Sequence, residues 1–276
     1  GMRLDGLRIV VDASNGAMYK IGPNTISELG AEVIPLGNAP NGLNINQKVG
    51  SVNPEEMRAT VIREKADLGI SFDGDGDRLA MADSHGRLIE GNGLLAILGV
   101  DMLKRGLLTN KKLATTIMAN GGLERALEPY GGKVVRTNVG DRYVVEAMRE
   151  HGLILGGESS GHMILLEHNT TGDAMIAALQ VLATMIREDQ PLSVLAGAYR
   201  EMPESHRSVP LEGKPKPSQA ALDAIGRAAE AEMNGAGRVV IRTSGTEPIV
   251  RVMVQHEELR KAETISEALA KEVAAL

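Results

Sequence analysis

The chain has 276 residues, 43% hydrophobic and 24% charged, an ordinary globular composition with length for one to three domains. A net charge of -6, with Trp 0, Phe 1 and Tyr 4, argues against non-specific polyanion binding and against aromatic platforms for single strands, so no nucleic-acid partner is expected. The absence of cysteine excludes disulfide and thiolate chemistry, and no apolar run is long enough to span a bilayer; a non-membrane, intracellular protein is the expectation.

Gly1-Met2 reads as a cleavage remnant ahead of an initiator Met, and no signal peptide is visible. Residues 7–12 read as a buried strand, a helical pattern follows to Leu29, and residues 33–36 form a second strand. This β-α-β unit favours a parallel sheet. Asn53-Pro54-Glu55-Glu56 predicts a helix start, with Asn53 as the N-cap, Pro in the first turn and acids at the positive end. That helix leads into an apolar strand over 66–72.

The strand runs into Phe72-Asp73-Gly74-Asp75-Gly76-Asp77-Arg78. In an extended backbone Asp73, Asp75 and Asp77 share a side, and the glycines let the chain bend around them. Three carboxylates this close repel unless a cation sits among them, and a hard divalent ion with oxygen ligands suits the set. A calcium EF-hand loop is excluded: its sixth position is Arg78 instead of Gly and its twelfth is Ser84 instead of Glu. A solvated Asp/Gly turn is the bland alternative.

Two strands around Ser84-His85-Gly86 read as a hairpin, and a long helix follows from Gly91 to about Arg105. Its opening Gly91-Asn92-Gly93 only superficially matches a dinucleotide fingerprint, because Lys111 and Lys112 stand where an acid is needed. A second α/β set follows, and an apolar helix over 172–188 reads as a central core element. Residues 200–217 read as a linker into a last unit of helix, strand, strand and helix with an antiparallel sheet. The fold class is thus α/β: two successive three-layer α/β domains with mixed sheets, then a small α+β domain. The boundaries are placed at 1–88, 89–199 and 200–276.

Three further loops carry chemistry. In Gly156-Gly157-Glu158-Ser159-Ser160-Gly161-His162, the alternating Glu158, Ser160 and His162 offer an acceptor, a hydroxyl and an imidazole, a set suited to a polyhydroxyl ligand or to a polar hairpin tip. Arg242-Thr243-Ser244-Gly245-Thr246-Glu247-Pro248 would cradle a phosphate through Arg242 or Arg251, the hydroxyls and the backbone at Gly245; an ordinary turn is the alternative. Val139-Gly140-Asp141-Arg142-Tyr143 precedes a helix, where Arg142 would meet an anion or Asp141 would simply cap.

Taken together, the strings FDGDGDR, GGESSGH and RTSGTEP, in this order, resemble the α-D-phosphohexomutase family over essentially the whole chain. VGDRYV, LDGLRIVVDASNGA and PNGLNIN are similar to the phosphoglucosamine mutases within it, bacterial enzymes of amino-sugar and cell-wall precursor synthesis in the cytoplasm. The resemblance implies that Asp73, Asp75 and Asp77 bind Mg2+, with Arg78 beside the transferred phosphate. It implies that Glu158 and Ser160 contact sugar hydroxyls and that His162 assists proton transfer. It assigns Arg242, Ser244, Gly245, Thr246 and Arg251 to the non-reacting phosphate, with Asp141 and Arg142 as candidate substrate contacts. Ser159 stands where the resemblance expects Gln, and Thr243 where it expects Pro, which leaves the sugar open among glucosamine, mannose and glucose phosphates.

The family's serine nucleophile sits in a T-A-S-H-N-P loop, and no such string occurs among these residues; Ser84-His85 and Ser205-His206 are followed by Gly and Arg. The chain therefore matches the second to fourth of the family's four domains, with a first-domain segment or a homo-oligomer as its expected partner. The implied reaction interconverts glucosamine 6-phosphate and glucosamine 1-phosphate, with a hexose or hexosamine 1,6-bisphosphate as activator, and this chain alone is expected to be inactive. Two other classes remain open at this level: a sugar-phosphate-binding module, and a phosphatase with Asp73 as nucleophile, against which the Asp at position 77 counts.

Overall fold

A computed structural model describes residues 1–211 and 213–276. The chain divides into two compact units, Gly1–Ala119 with Leu123–Arg200, and Asn120–Gly122 with Glu201–Leu276. The elements in chain order are β1 (Arg8–Asp12), α1 (Ile21–Glu28), β2 (Glu32–Leu36), α2 (Glu55–Arg63), β3 (Leu68–Phe72), β4 (Leu79–Asp83), β5 (Leu88–Ile89) and α3 (Gly91–Lys104). They continue with β6 (Lys112–Thr116), α4 (Gly122–Leu127), β7 (Lys133–Thr137), α5 (Asp141–His151), β8 (Leu155–Gly157), β9 (Met163–Leu165), α6 (Ala174–Glu188) and α7 (Leu192–Leu195). The C-terminal elements are β10 (Glu204–Pro210), α8 (Gln219–Glu232), β11 (Gly237–Thr243), β12 (Ile249–His256) and α9 (Leu259–Ala274).

The first unit uses one topology twice. Its sheets run β2-β1-β3-β4-β5 and β7-β6-β8-β9. In each, the first three strands of the set are parallel and the fourth returns antiparallel. All five residues of β3 are buried, as expected of a parallel strand covered on both faces. Met57 and Val61 of α2 press so closely on Gly69 that a side chain there would displace them. On the other side Phe72, fully buried, lies in a continuous core with Leu94, Leu95 and Ile97 of α3 and Ala178, Val181 and Leu182 of α6. Each of the larger of these side chains contributes about 1.5–3 kcal/mol of burial. α6 is a core element along a wide stripe, although Ile186 remains 45% exposed.

The second unit is a three-stranded antiparallel sheet, β10-β12-β11, with α8 and α9 packed on the face that carries Val239, Ile241, Val250, Val252 and Val254. Ser218 caps α8 by accepting from Ala221 N. The expected fold class holds: two mixed-sheet α/β arrangements followed by a small α+β one.

Two local expectations are corrected. Asn53 does not cap α2; Pro54 occupies the N-cap position, and Asn53 Nδ2 donates instead to Asn46 O at 3.1 Å. The stretch 200–217 is not all linker, because β10 lies within it and pairs along β12 from Glu204 to Pro210. Glu212, also within that stretch, lies outside the described residues.

Candidate active site

β3 delivers Asp73 to the end of its sheet, and there the chain stops being extended. Residues 74–76 bend, with Gly76 at φ +79°, a conformation that favours glycine. The carboxylates therefore converge because the loop wraps around Asp73, and not through strand alternation. Asp73 Oδ1 accepts from Asp77 N at 3.1 Å and Arg78 N at 3.0 Å. One oxygen from each of Asp73, Asp75 and Asp77 lies within 4.8 Å of the others. Burial pushes the Asp73 carboxyl from 3.8 up to about 6; the Arg78 N–H opposes this, and Asp75 and Asp77 reinforce it. Asp77 Oδ1 is buried with no hydrogen-bond partner among the described residues. Acceptor-only oxygens crowded in this way, one of them orphaned, fit a hard divalent cation such as Mg2+.

The polar loop between β8 and β9 is stitched to the acidic loop. Glu158 N donates to His162 O at 2.9 Å, and Leu79 N donates to Gly161 O at 3.0 Å. Arg78 and His162 form an antiparallel bridge. Gly161, at φ +92°, has to be glycine, because a Cβ there would run into the Leu79 backbone. His162 is 5% exposed, and its Nδ1 lies 3.1 Å from Asp77 Oδ2. Arg78 stays half-exposed, 4.0 Å from Asp77 Oδ1. Ser160 is exposed and Glu158 partly buried.

The loop before α5 joins the same cluster through its backbone: Gly140 N donates to Glu158 Oε1 at 3.2 Å. Gly140 is the N-cap residue of α5 and makes no side-chain cap, while Asp141 Oδ1 accepts from Arg142 N at 2.7 Å. Arg142 turns back on its own helix, 3.1 Å from Glu146 and 5.2 Å from the Tyr143 ring centre. The structure thus brings Asp73, Asp75, Asp77, Arg78 and His162 together, with Glu158 in the adjoining loop just after β8.

The remaining predicted residues lie in the second unit. Arg242 and Arg251 stand directly opposite each other on β11 and β12. Like charges in that register cost stability until an anion joins them. Arg251 Nη2 is held by Glu247 Oε2 at 2.6 Å. Ser244, 3% exposed, accepts from Glu247 N through its Oγ, and its carbonyl accepts from Lys216 Nζ at 3.1 Å. Gly245 and Thr246 are exposed at the loop tip.

Sequence reasoning missed Lys216, the Glu247–Arg251 pair and the segment 172–174, which lines the cation and His162 loops. Asp173 is the N-cap of α6 and accepts from Ile176 N at 2.9 Å. An Asp ahead of an apolar helical run was the available signal.

Sequence models of one family cover nearly all of the chain: Phosphoglucomutase/phosphomannomutase, alpha/beta/alpha domain II, matches residues 2–86, domain III residues 90–202, and the C-terminal domain residues 207–272. The phosphoglucosamine mutase of Anaeromyxobacter dehalogenans is 46% identical over 275 residues, 99% of this chain and 60% of the relative. That of Magnetococcus marinus is 48% identical over 259 residues, 93% of this chain and 53% of the relative. The chain therefore spans about 60% of the length of such relatives. Among solved structures, a phosphoglucomutase/phosphomannomutase family protein from Burkholderia thailandensis matches with a TM-score of 0.77 at 21% identity, covering 97% of this chain and 60% of that one. Aspergillus fumigatus N-acetylphosphoglucosamine mutase, in complex with GlcNAc-6P and magnesium, matches with a TM-score of 0.69 at 19% identity, covering 99% and 67%. These last two likenesses are of fold.

Proposed function

Because the chain belongs to the phosphoglucomutase/phosphomannomutase family, we propose that it forms the cation-, sugar- and phosphate-binding part of a phosphoglucosamine mutase. The reaction moves a phosphoryl group between the 6- and 1-hydroxyls of glucosamine phosphate by way of a bisphosphorylated sugar. The observation that carries this reading is the convergence of three carboxylates within 4.8 Å, with Arg78 and His162 beside them.

Asp73, Asp75 and Asp77 would hold Mg2+. When bound, the ion supplies charge neutralisation for phosphoryl oxygens. Arg78, with a side chain free enough to reach out, flanks the transferred group, and its fork geometry suits phosphate oxygens. His162 takes the hydroxyl proton as the new P–O bond forms and returns it in the reverse direction. Glu158, held by Gly140, and Ser160 orient the sugar through its hydroxyls. Arg242, Ser244, Gly245, Thr246 and Arg251 hold the non-reacting phosphate, and Arg251 exchanges Glu247 for it; Asp141 and Arg142 are outer contacts. The sequence divisions 1–88, 89–199 and 200–276 are proposed to separate these three duties. The serine nucleophile is proposed to come from a further segment or a partner, and a 1,6-bisphosphate to prime it.

Calorimetry with glucosamine 6-phosphate and Mg2+, beside a mutase assay with a 1,6-bisphosphate, tests this. Sugar-phosphate binding without turnover is expected. Tighter binding of mannose or glucose 6-phosphate would move the assignment to that sugar, and no binding of any would overturn it. Robust turnover by this chain would overturn the external nucleophile.

A further inference from the structure

Residues 172–174, which lead into the first turn of α6, carry no motif, yet they touch both loops of the site in the first unit. Ala174 N donates to Gly76 O at 3.1 Å, and Asp173 N donates to Met163 O at 3.1 Å. A Cβ on Gly172 would run into the His162 ring. Gly172 is absent from the left-handed backbone positions, so it has to be small for a steric reason: the imidazole sits where its side chain would be.

The Nδ1 edge of the ring meets Asp77, whose two oxygens have different surroundings. Oδ2 lies 3.1 Å from His162 Nδ1, while Oδ1 is buried without a hydrogen-bond partner among the described residues. A carboxylate only accepts, so a proton carried on Nδ1 would face Oδ2. Nε2 is likewise buried without a hydrogen-bond partner. The ring is thus held by one shared carboxylate and one steric seat.

We propose that Gly172 and Asp77 are positioning residues for His162, and that a cation held by the Asp77 carboxylate would fix the imidazole through Oδ2. The inference rests on the reading of Asp73, Asp75 and Asp77 as the cation site and deepens it. With a cation bound, the Asp77 carboxylate would lose its rotation, so that Oδ2 meets Nδ1 in a single geometry, much as outer partners orient ligands in metal sites. Cation occupancy is then felt at a ring that touches no cation. A methyl group at position 172 displaces the ring from Oδ2 and leaves the three carboxylates in place.

The test uses this chain with Mn2+ and Mg2+. Mn2+ paramagnetic resonance counts the bound ion, and nitrogen-edited proton NMR follows the rings of the six histidines, with His162→Gln identifying His162. Saturating Mg2+ is expected to shift the His162 Nδ1 and ring-proton signals. Gly172→Ala is expected to lose most of that shift, with Mn2+ affinity within about threefold of the parent. Bound Mn2+ with a His162 ring unmoved by Mg2+ would overturn the coupling. An unchanged shift in a folded Gly172→Ala would overturn the role of Gly172. If that variant unfolds, the parent's own response decides, a shift supporting the coupling and silence overturning it. Failure of Mn2+ to bind at all would instead overturn the cation site itself, and the resonance experiment separates that result from the others.

Discussion

Lowering the pH from about 7.5 to about 5 should weaken Mg2+ binding roughly tenfold, through one carboxyl. Asp73 is 7% exposed, and its carboxyl titrates near 6 in place of 3.8. A cation needs the ionised form. At pH ~5 a group with a value near 6 is ionised about one time in ten, which costs about 1.4 kcal/mol of binding. An aspartate left at its ordinary value would stay more than about nine-tenths ionised, and the affinity would hardly change. Calorimetric titration with Mg2+ at three pH values and fixed ionic strength separates the cases. Asp73→Asn keeps an oxygen to accept the Asp77 and Arg78 N–H groups but carries no proton to displace, so its weaker binding should show a much flatter pH dependence. A change below about twofold in the parent would refute the account of a buried, charge-crowded carboxyl. Stability has the opposite sign from binding. A carboxyl whose folded value is raised holds its proton more tightly when folded, so the cation-free chain loses stability as pH rises from about 4 through 6. Asp12, raised chiefly by burial, adds in the same direction. Saturating Mg2+ should restore most of that loss at neutral pH.

Other perturbations separate packing from chemistry. Phe72→Ala, at the fully buried end of β3, should lower stability by about 3–5 kcal/mol in denaturant titration and weaken Mg2+ binding by loosening the strand that holds Asp73. Arg242→Ala should reduce sugar-phosphate affinity by about 10- to 100-fold in calorimetry, the worth of a charge-assisted contact, while relieving the repulsion with Arg251 and leaving the melting temperature level or higher. Ser218→Ala removes the cap on α8 and should cost about 1 kcal/mol with no effect on cation binding; a parallel loss of cation affinity would contradict its purely structural role.

Much of this was legible in the sequence because the strands of the first unit are short apolar runs closed by turn residues. The fold is unambiguous where both faces of a strand are buried, as in β3. β10 was hidden for the converse reason. It is an edge strand whose inward positions pair a buried Ser205, 2.8 Å from Ser266 Oγ, with Val209 as a buried apolar residue, so apolar alternation hardly shows. Asn53 looked like a cap because the residue types fit, but it stands one position ahead of the N-cap, which Pro54 occupies. The acidic triplet was found through spacing that assumed extended backbone, whereas the actual cause is a bend that only the Asp73 acceptor and Gly76 make visible. The duty of Gly172 had no signature at all, since it depends on a ring ten positions away in sequence.

The repeated sheet topology gives the chain two equivalent sockets. Asp73 is the first residue after β3 and Glu158 the first after β8; Arg78 and His162 are the last before β4 and β9. Each socket opens with an acid and closes with a nitrogen-bearing side chain, and the scaffold beneath treats them alike. Under the proposed function, what would make one socket a cation site and the other a hydroxyl site resides in the few residues between those ends, Gly-Asp-Gly-Asp in one and Ser-Ser-Gly in the other. A change of ligand in either socket asks for a new loop, and nothing of the strands that carry it.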